Sequence, residues 1–148
     1  MSIDTDTSTQ RIDVVSILEG ERYISLETFR KNGTGVRTPV WFAVHEDEEE
    51  KRSIIVFTNG TSYKVKRLRR NTKCQVAACN MRGSVNGNFF AGQCRILDES
   101  KAEDKTLSDT AYRILNKKYG WQMRMLTITA RLGRRRKDWT VLEISFPE

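Results

Sequence analysis

Histidine is almost missing from this chain: His45 is the only one in 148 residues. Acid–base chemistry centred on imidazole therefore has little to draw on. Proline occurs twice, and no apolar run approaches the roughly 20 residues that cross a bilayer, so no membrane partner is expected. Residues 1–9 are polar and carry two aspartates, unlike a secretory signal, which starts basic and turns apolar. A cytoplasmic location is the expectation. The three cysteines, Cys74, Cys79 and Cys94, are odd in number, form no C-x-x-C pair and sit in apolar stretches. Buried free thiols are expected, and no metal site is indicated. Neither a G-x-x-x-x-G-K-[ST] loop nor a G-x-G-x-x-G fingerprint is present, so nucleoside triphosphates and Rossmann dinucleotides are not indicated.

What the chain does have is positive charge. Lys and Arg number 26 against 19 Asp and Glu, a formal net charge of +7. Such an excess favours anions of some kind: a nucleic acid, an anionic cofactor or an acidic substrate. Hydrophobic residues at 38% and charged residues at 30% fit an ordinary globular domain, and the length suits a single one over residues 1–148.

Six strands are expected. Residues 22–29 alternate, with Ile24 and Leu26 on one face and Ser25 and Glu27 on the other. Asn32-Gly33 then marks a tight turn, because it favours positive φ angles. Residues 36–44 return as one long strand, Val36, Thr38, Val40 and Phe42 alternating with Arg37, Pro39, Trp41 and Ala43. Residues 53–57 form a nearly continuous apolar run, through Ile54, Ile55 and Val56, so both faces should be covered. Residues 73–79, 88–97 and 138–146 supply the other three. Helices are expected over 5–19 (capped by Thr7, Ser8 or Thr9), 62–70, 99–119 (capped by Ser100, ended by Gly120) and 121–132. The class is mainly β (α+β). A six-stranded antiparallel barrel with flanking helices fits best, since closure removes exposed edges.

One segment carries candidate chemistry. In IIVFTNGTSYKVKRLRRN, residues 54–71, a buried strand ends at Thr58, a polar turn follows, and a helix starts at Ser62 with Lys64 in its first turn. Free N–H groups and the dipole at a helix start attract anions. Thr58 and Ser62 can add hydroxyl hydrogen bonds, and Lys64 a mobile cation. The result is a plausible phosphate cradle; a solvated basic helix is the plainer reading of the same residues. Lys66, Arg67, Arg69 and Arg70 continue the charge, and a second basic run covers 131–137.

Three pieces resemble the split β-barrel superfamily of pyridoxamine-phosphate-oxidase-like proteins: YISLETFRKNGTGVRTPVWF at 23–42, VFTNGTSYKVKRLRRN at 56–71 and VNGNFFAGQCRIL at 85–97. The nearer likeness is to the branch of flavin- or deazaflavin-dependent oxidoreductases. That resemblance implies a split barrel and a homodimer, with FMN or a deazaflavin held in clefts between protomers. It implies that Thr58, Ser62 and Lys64 bind the cofactor phosphate, and that Arg37, Pro39, Val40 and Trp41 lie along the ring. Trp41 serves equally as core or dimer packing. Arg70, with Lys66, Arg67 or the run at 134–136, would serve the anionic tail of a deazaflavin.

The sequence also departs from that pattern. Tyr63 stands before Lys64 where pyridoxamine phosphate oxidases carry an Arg-Lys pair, and the Arg-x-His expected near the C-terminus is absent. Oxidation of pyridoxamine phosphate is therefore not expected. The implied function is hydride transfer from the cofactor to a small-molecule acceptor, the protein binding, orienting and excluding water. Tyr63, Tyr112 and Tyr119 are candidate proton donors. Two alternatives stand beside it: a non-catalytic flavin, deazaflavin or haem carrier, and a small basic nucleic-acid barrel. The basic runs favour the latter, but Phe57, Phe89 and Phe90 read as core rather than as a stacking platform.

Overall fold

The computed structural model describes residues 13–123, 125 and 139–147. A short helix α1 (Val14–Leu18) precedes strands β1 (Tyr23–Phe29), β2 (Gly35–Val40), β3 (Phe42–Glu46) and β4 (Arg52–Asn59). Helix α2 (Tyr63–Arg70) leads to β5 (Lys73–Cys79) and β6 (Phe90–Ile96), and the long helix α3 (Ala102–Tyr119) separates these from β7 (Trp139–Ser145).

All seven strands belong to one antiparallel sheet in the order β2-β1-β5-β6-β7-β4-β3. The two edge strands, β2 and β3, are joined in sequence through Trp41 alone. Edges that share one residue must meet in space, so the sheet curls into an incompletely closed, split barrel. Covalent continuity at Trp41, rather than a ladder of hydrogen bonds, draws the two edges together. The barrel core gathers Ile24, Leu26, Val40, Phe42, Ile54, Val56, Val76, Leu142 and Ile144, with Leu18 and Leu68 from the helices.

The expected strand 36–44 is thus two strands. Its alternation does not falter: Val40 and Phe42 both point into the barrel core, and Ala43 points to the other side. What changes is the ladder partner, from β1 before Trp41 to β4 after it. The end of α3 holds this break. The Tyr119 hydroxyl accepts from the Phe42 N–H at 3.0 Å and donates to the Arg22 carbonyl at 2.7 Å. Lys118 Nζ donates to the Phe42 carbonyl at 2.9 Å, and the Trp41 ring stacks on Tyr119 at 4.5 Å. Pro39, which has no N–H to give, falls on an edge strand, where a missing donor costs least.

α3 packs through Ala111, Leu115 and Tyr119 onto the outer face of the β3-β4-β7 side, against Ala43, Ile55 and Val141. Both faces of β4 are therefore covered, as its apolar run requires. Gly33, at φ 88°, makes the turn between β1 and β2, as Asn32-Gly33 predicts. Gly120 ends α3 with φ 57°. Two caps differ from expectation. α1 is capped by the Asp13 carboxylate, which accepts from the Ser16 N–H; Thr7, Ser8 and Thr9 lie outside the described residues. Ser100 instead bonds to Asp98, and α3 starts after Lys101. The helix expected over 121–132 is described only at its start, through Trp121–Met123 and Met125.

Candidate functional site

The turn between β4 and α2 is built around Asn59. Its side-chain oxygen accepts from both the N–H and the hydroxyl of Thr61, at 2.9 and 2.7 Å, while its carbonyl accepts from the Ser62 N–H. This rigid Asx turn delivers Ser62 in extended geometry as the N-cap of α2. Val65 and Leu68, three apart and both buried, pin one face of α2 to the barrel. Burying such side chains stabilises by roughly 1.5–3 kcal/mol each. Lys64 and Arg67 are thereby turned along the side facing β1 and β2.

A groove of about 580 Å³ runs there, lined by Arg30, Val36, Thr38, Ser62, Tyr63, Lys64 and Arg67. Lys64 Nζ donates to the buried Thr58 hydroxyl at 3.2 Å. Burial pushes the Lys64 pKa down, and the Arg67 charge pushes it further. Arg67 Nε donates to Thr28 Oγ1 at 2.7 Å; its pKa is lowered by burial first, then by Arg30 and Arg70. Among the described residues, none of Arg30, Lys64, Arg67 and Arg70 pairs with a carboxylate. Cations crowded and desolvated without counter-ions favour an anion among them.

Two hydroxyls make the same point without charge. Ser62 caps α2 by position, yet its side chain makes no capping bond. Ser62 Oγ and Thr38 Oγ1 are buried atoms with no hydrogen-bond partner among the described residues. Leaving a buried hydroxyl unsatisfied costs about 1–3 kcal/mol. Both line the same groove, beside the free N–H groups of a helix start. A third such atom, Ser25 Oγ, does not line it. Two orphaned donors, helix amides and unpaired cations fit a phosphate group.

The cradle residues Thr58, Ser62 and Lys64 are therefore together. Arg70 lies near, its guanidinium 3.4 Å from the Phe29 carbonyl. The four residues expected along a ring are placed otherwise around this groove. Arg37 pairs with Glu27 at 3.1 Å and covers the Phe89 ring. Pro39 points to the same outer side, Val40 is core, and Trp41 stacks on Tyr119. None of the four lines the groove; Val36 and Thr38, the alternate residues of β2, do. Arg30, Val36 and Thr38 were missed from the sequence. The signal was there in part: period-2 alternation puts Val36 and Thr38 on one face, opposite Arg37 and Pro39.

The candidate proton donors separate clearly. Tyr119 spends its hydroxyl on backbone, and burial raises its pKa to about 12. Tyr112 lies in an aromatic cluster with Phe57 and Trp139. Tyr63 is exposed at the groove's edge. The cysteines are buried thiols, as expected; burial drives Cys74 up to about 12 and Cys94 higher still.

A larger hollow of about 850 Å³ lies across the molecule, lined by Asp13, His45, Asp47, Glu49, Glu50, Arg52 and Glu143 among others. It holds the only histidine, but its rim is acidic and its arginine is already paired: Arg52 meets Glu19 at 2.6 Å and Asp13 at 3.7 Å.

Comparison with known proteins bears on the whole chain. The family model for pyridoxamine 5'-phosphate oxidase matches residues 12–148. Among solved structures, the haem storage protein HutZ of Vibrio cholerae superposes with a TM-score of 0.62 at 9% identity, covering 92% of this chain and 89% of that one. An FAD-binding protein of Mesorhizobium loti gives 0.59 at 16% identity, covering 90% and 87%. A conserved hypothetical protein of Mycobacterium tuberculosis gives 0.61 at 16% identity, covering 92% and 79%. No curated protein matches the chain. At such identities the solved structures speak for the fold, which is the same split barrel, and the family match over nearly the full length settles the lineage: this chain belongs to the pyridoxamine 5'-phosphate oxidase family.

Proposed function

We propose that the protein binds a flavin-type cofactor, FMN or a deazaflavin, by its phosphate in the α2 groove, and serves as an oxidoreductase acting on a small-molecule acceptor. One observation carries this reading: Ser62 Oγ and Thr38 Oγ1 are buried without partners in a groove whose cations have no counter-ions. A phosphate supplies acceptors for both hydroxyls and for the first amides of α2 at once. The bound cofactor supplies the hydride chemistry. The chain's part is to fix the phosphate with Ser62, Thr38 and Lys64, to hold Lys64 in place through Thr58, and to limit water. Tyr63 stands where a phenol can give a proton to a substrate at the groove's edge.

A homodimer belongs to this reading. The groove is rich in cations and hydroxyls but offers little apolar surface beyond Val36 and Tyr63. Ligand sites are mostly apolar, so a ring system needs cover that a second protomer can give. The alternative of a haem carrier gains from the similarity to HutZ, whose name states haem storage. Against it, the only histidine lies in the acidic hollow, where carboxylates would repel haem propionates.

The test is a fluorescence titration of dialysed protein with FMN and with a deazaflavin separately, for wild type and Lys64→Ala. One cofactor binds, and the variant weakens it ten- to a hundredfold, about 1.5–3 kcal/mol for a lost charge-assisted contact. Haem binding with no flavin binding would overturn the proposal.

A further inference from the structure

We infer that the outer face and C-terminal end of α2 form a second anion-binding surface, separate from the groove, that takes the phosphate backbone of a nucleic acid. Five exposed cations that do not line the groove meet at one end of the sheet: Lys31, Lys66, Arg69, Arg70 and Lys73. The β1–β5 register, carried two residues on from Glu27 and Gln75, sets Lys73 beside Phe29. The Phe29 carbonyl accepts from Arg70 at 3.4 Å, which ties the last turn of α2 to the same place. Lys31 follows Phe29 by two residues, in the turn to β2. Lys66 lies three and four residues before Arg69 and Arg70, so it shares their side of the helix. Arg69 opens onto a hollow of about 440 Å³ toward β6, whose other polar lining is Thr72, Gln93, Arg95 and Ser145, with no acid among the described residues.

The fold's own needs do not account for this charge. Arg69 and Arg70 suit the negative end of the α2 dipole, but Lys31 and Lys73 stand outside the helix and Lys66 precedes its last turn. None of the five pairs with a carboxylate among the described residues. The acids lie elsewhere: Asp47, Glu48, Glu49 and Glu50 make the turn between β3 and β4, and Glu27 is held by Arg37. The character of the surface selects its partner. It has charge but no apolar centre, since the exposed side chains of Ile17, Met81, Trp121 and Met125 belong to other segments and Tyr63 lies at the groove's edge. Protein interfaces are built around an apolar and aromatic centre, and helices that lie on membranes bury an apolar face. Sequence-independent binding of nucleic acid rests on phosphate contacts alone, and a chain carrying +7 is drawn to such a partner.

The experiment is fluorescence anisotropy of the full chain with a labelled, mixed-sequence DNA duplex of about 20 base pairs, from roughly 50 to 200 mM NaCl. Three to five phosphate contacts give a slope of log affinity against log salt of about −2.7 to −4.5. Arg69→Ala, Arg70→Ala and Lys73→Ala, all at exposed positions, should each flatten that slope by about 0.9, with circular dichroism showing the fold kept. Lys117→Ala, which removes an exposed cation from α3, should leave it unchanged. Excess FMN should not displace the duplex, because the groove is a different place. No binding at the low-salt end would overturn the inference, as would a slope that the three variants leave unaltered, or displacement of the duplex by FMN. Tighter binding of polyglutamate than of the duplex would also overturn it and hand the surface to an acidic polypeptide. The flavin reading stands or falls on its own titration: duplex bound without flavin would keep this surface and remove the cofactor.

Discussion

The acidic hollow and the basic groove differ in a way that size does not capture. The acidic one is larger, about 850 Å³ against about 580 Å³, and contains the only histidine. Several of its polar groups nevertheless answer one another. Asp47 accepts from the N–H groups of Glu49 and Lys51 in its own loop. Glu143 accepts from Ser53 and Arg95, and Arg52 meets Glu19 and Asp13. The basic groove is smaller and unfinished: among the described residues, two buried hydroxyls lack partners and three cations, Arg30, Lys64 and Arg67, lack acids. Unsatisfied hydroxyls that share one groove with unpaired cations mark a place kept for a ligand, which the isolated Ser25 does not; groups that satisfy one another mark structure.

This contrast predicts opposite responses to mutation on the two sides. Lys64→Ala gives the largest effect on binding, the ten- to hundredfold loss given above, yet it should leave the thermal midpoint of the free protein no lower. Its ammonium is half-buried among like charges, and its depressed pKa marks the charged form as disfavoured there. A fall in midpoint matching the fall in affinity would erase the distinction. Asp104, which lies outside the acidic hollow but shares Arg95 with Glu143 on its wall, should behave the other way when replaced by Ala. Its carboxylate accepts from Arg95 at 2.6 Å and from the Asp98 N–H at 2.8 Å, bonds worth about 1.5–3 kcal/mol of stability to a charged partner. Denaturant unfolding should record that loss, with cofactor affinity unmoved. These same bonds hold the Asp104 pKa down, so their contribution is present above the ordinary carboxylate range and is lost as the pH falls through the lowered value.

How far this was legible in the sequence varied with the range of the forces involved. The turn at Gly33, the two covered faces of β4 and the start of α2 at Ser62 follow from local rules, and the sequence displays them. Thr58 and Lys64, six residues apart, meet because a strand end and a helix start sit either side of one turn. The break at Trp41 was not legible. Alternation runs straight through it, and the bonds that hold it come from Lys118 and Tyr119, more than 70 residues away. A shorter but still non-local separation hid Arg30 and Thr38 from the reading of the groove. They reach it only because β1 and β2 fold back beside α2, and no local pattern encodes that approach.

Smaller effects sharpen the comparison further. Arg52→Ala, on the acidic side, should cost only about 0.2–1 kcal/mol, because exposed ion pairs are weak. The cost should shrink at high salt, as chemical denaturation at two ionic strengths can show. Lys118 offers an intermediate case, a half-buried cation partnered by a carbonyl and the Phe42 ring rather than by an acid. Burial, aided by Arg22, lowers its pKa to about 8 from an ordinary 10.5. Between those values the folded chain holds fewer protons at this site than the unfolded chain, so stability from this group rises with pH across that window. Thermal midpoints taken across it should rise in the wild type relative to Lys118→Met, which carries no such proton. A relative fall would reverse the sign.

The measurement that goes most directly to the central claim removes the two orphaned hydroxyls. In the double variant Ser62→Ala, Thr38→Val, the free protein loses nothing it was using, so its thermal midpoint should stay level or rise. Cofactor affinity should fall by about 0.5–1.5 kcal/mol for each hydrogen bond lost. A lower midpoint with unchanged affinity would mean that these hydroxyls serve the fold and that the groove was not kept for a phosphate.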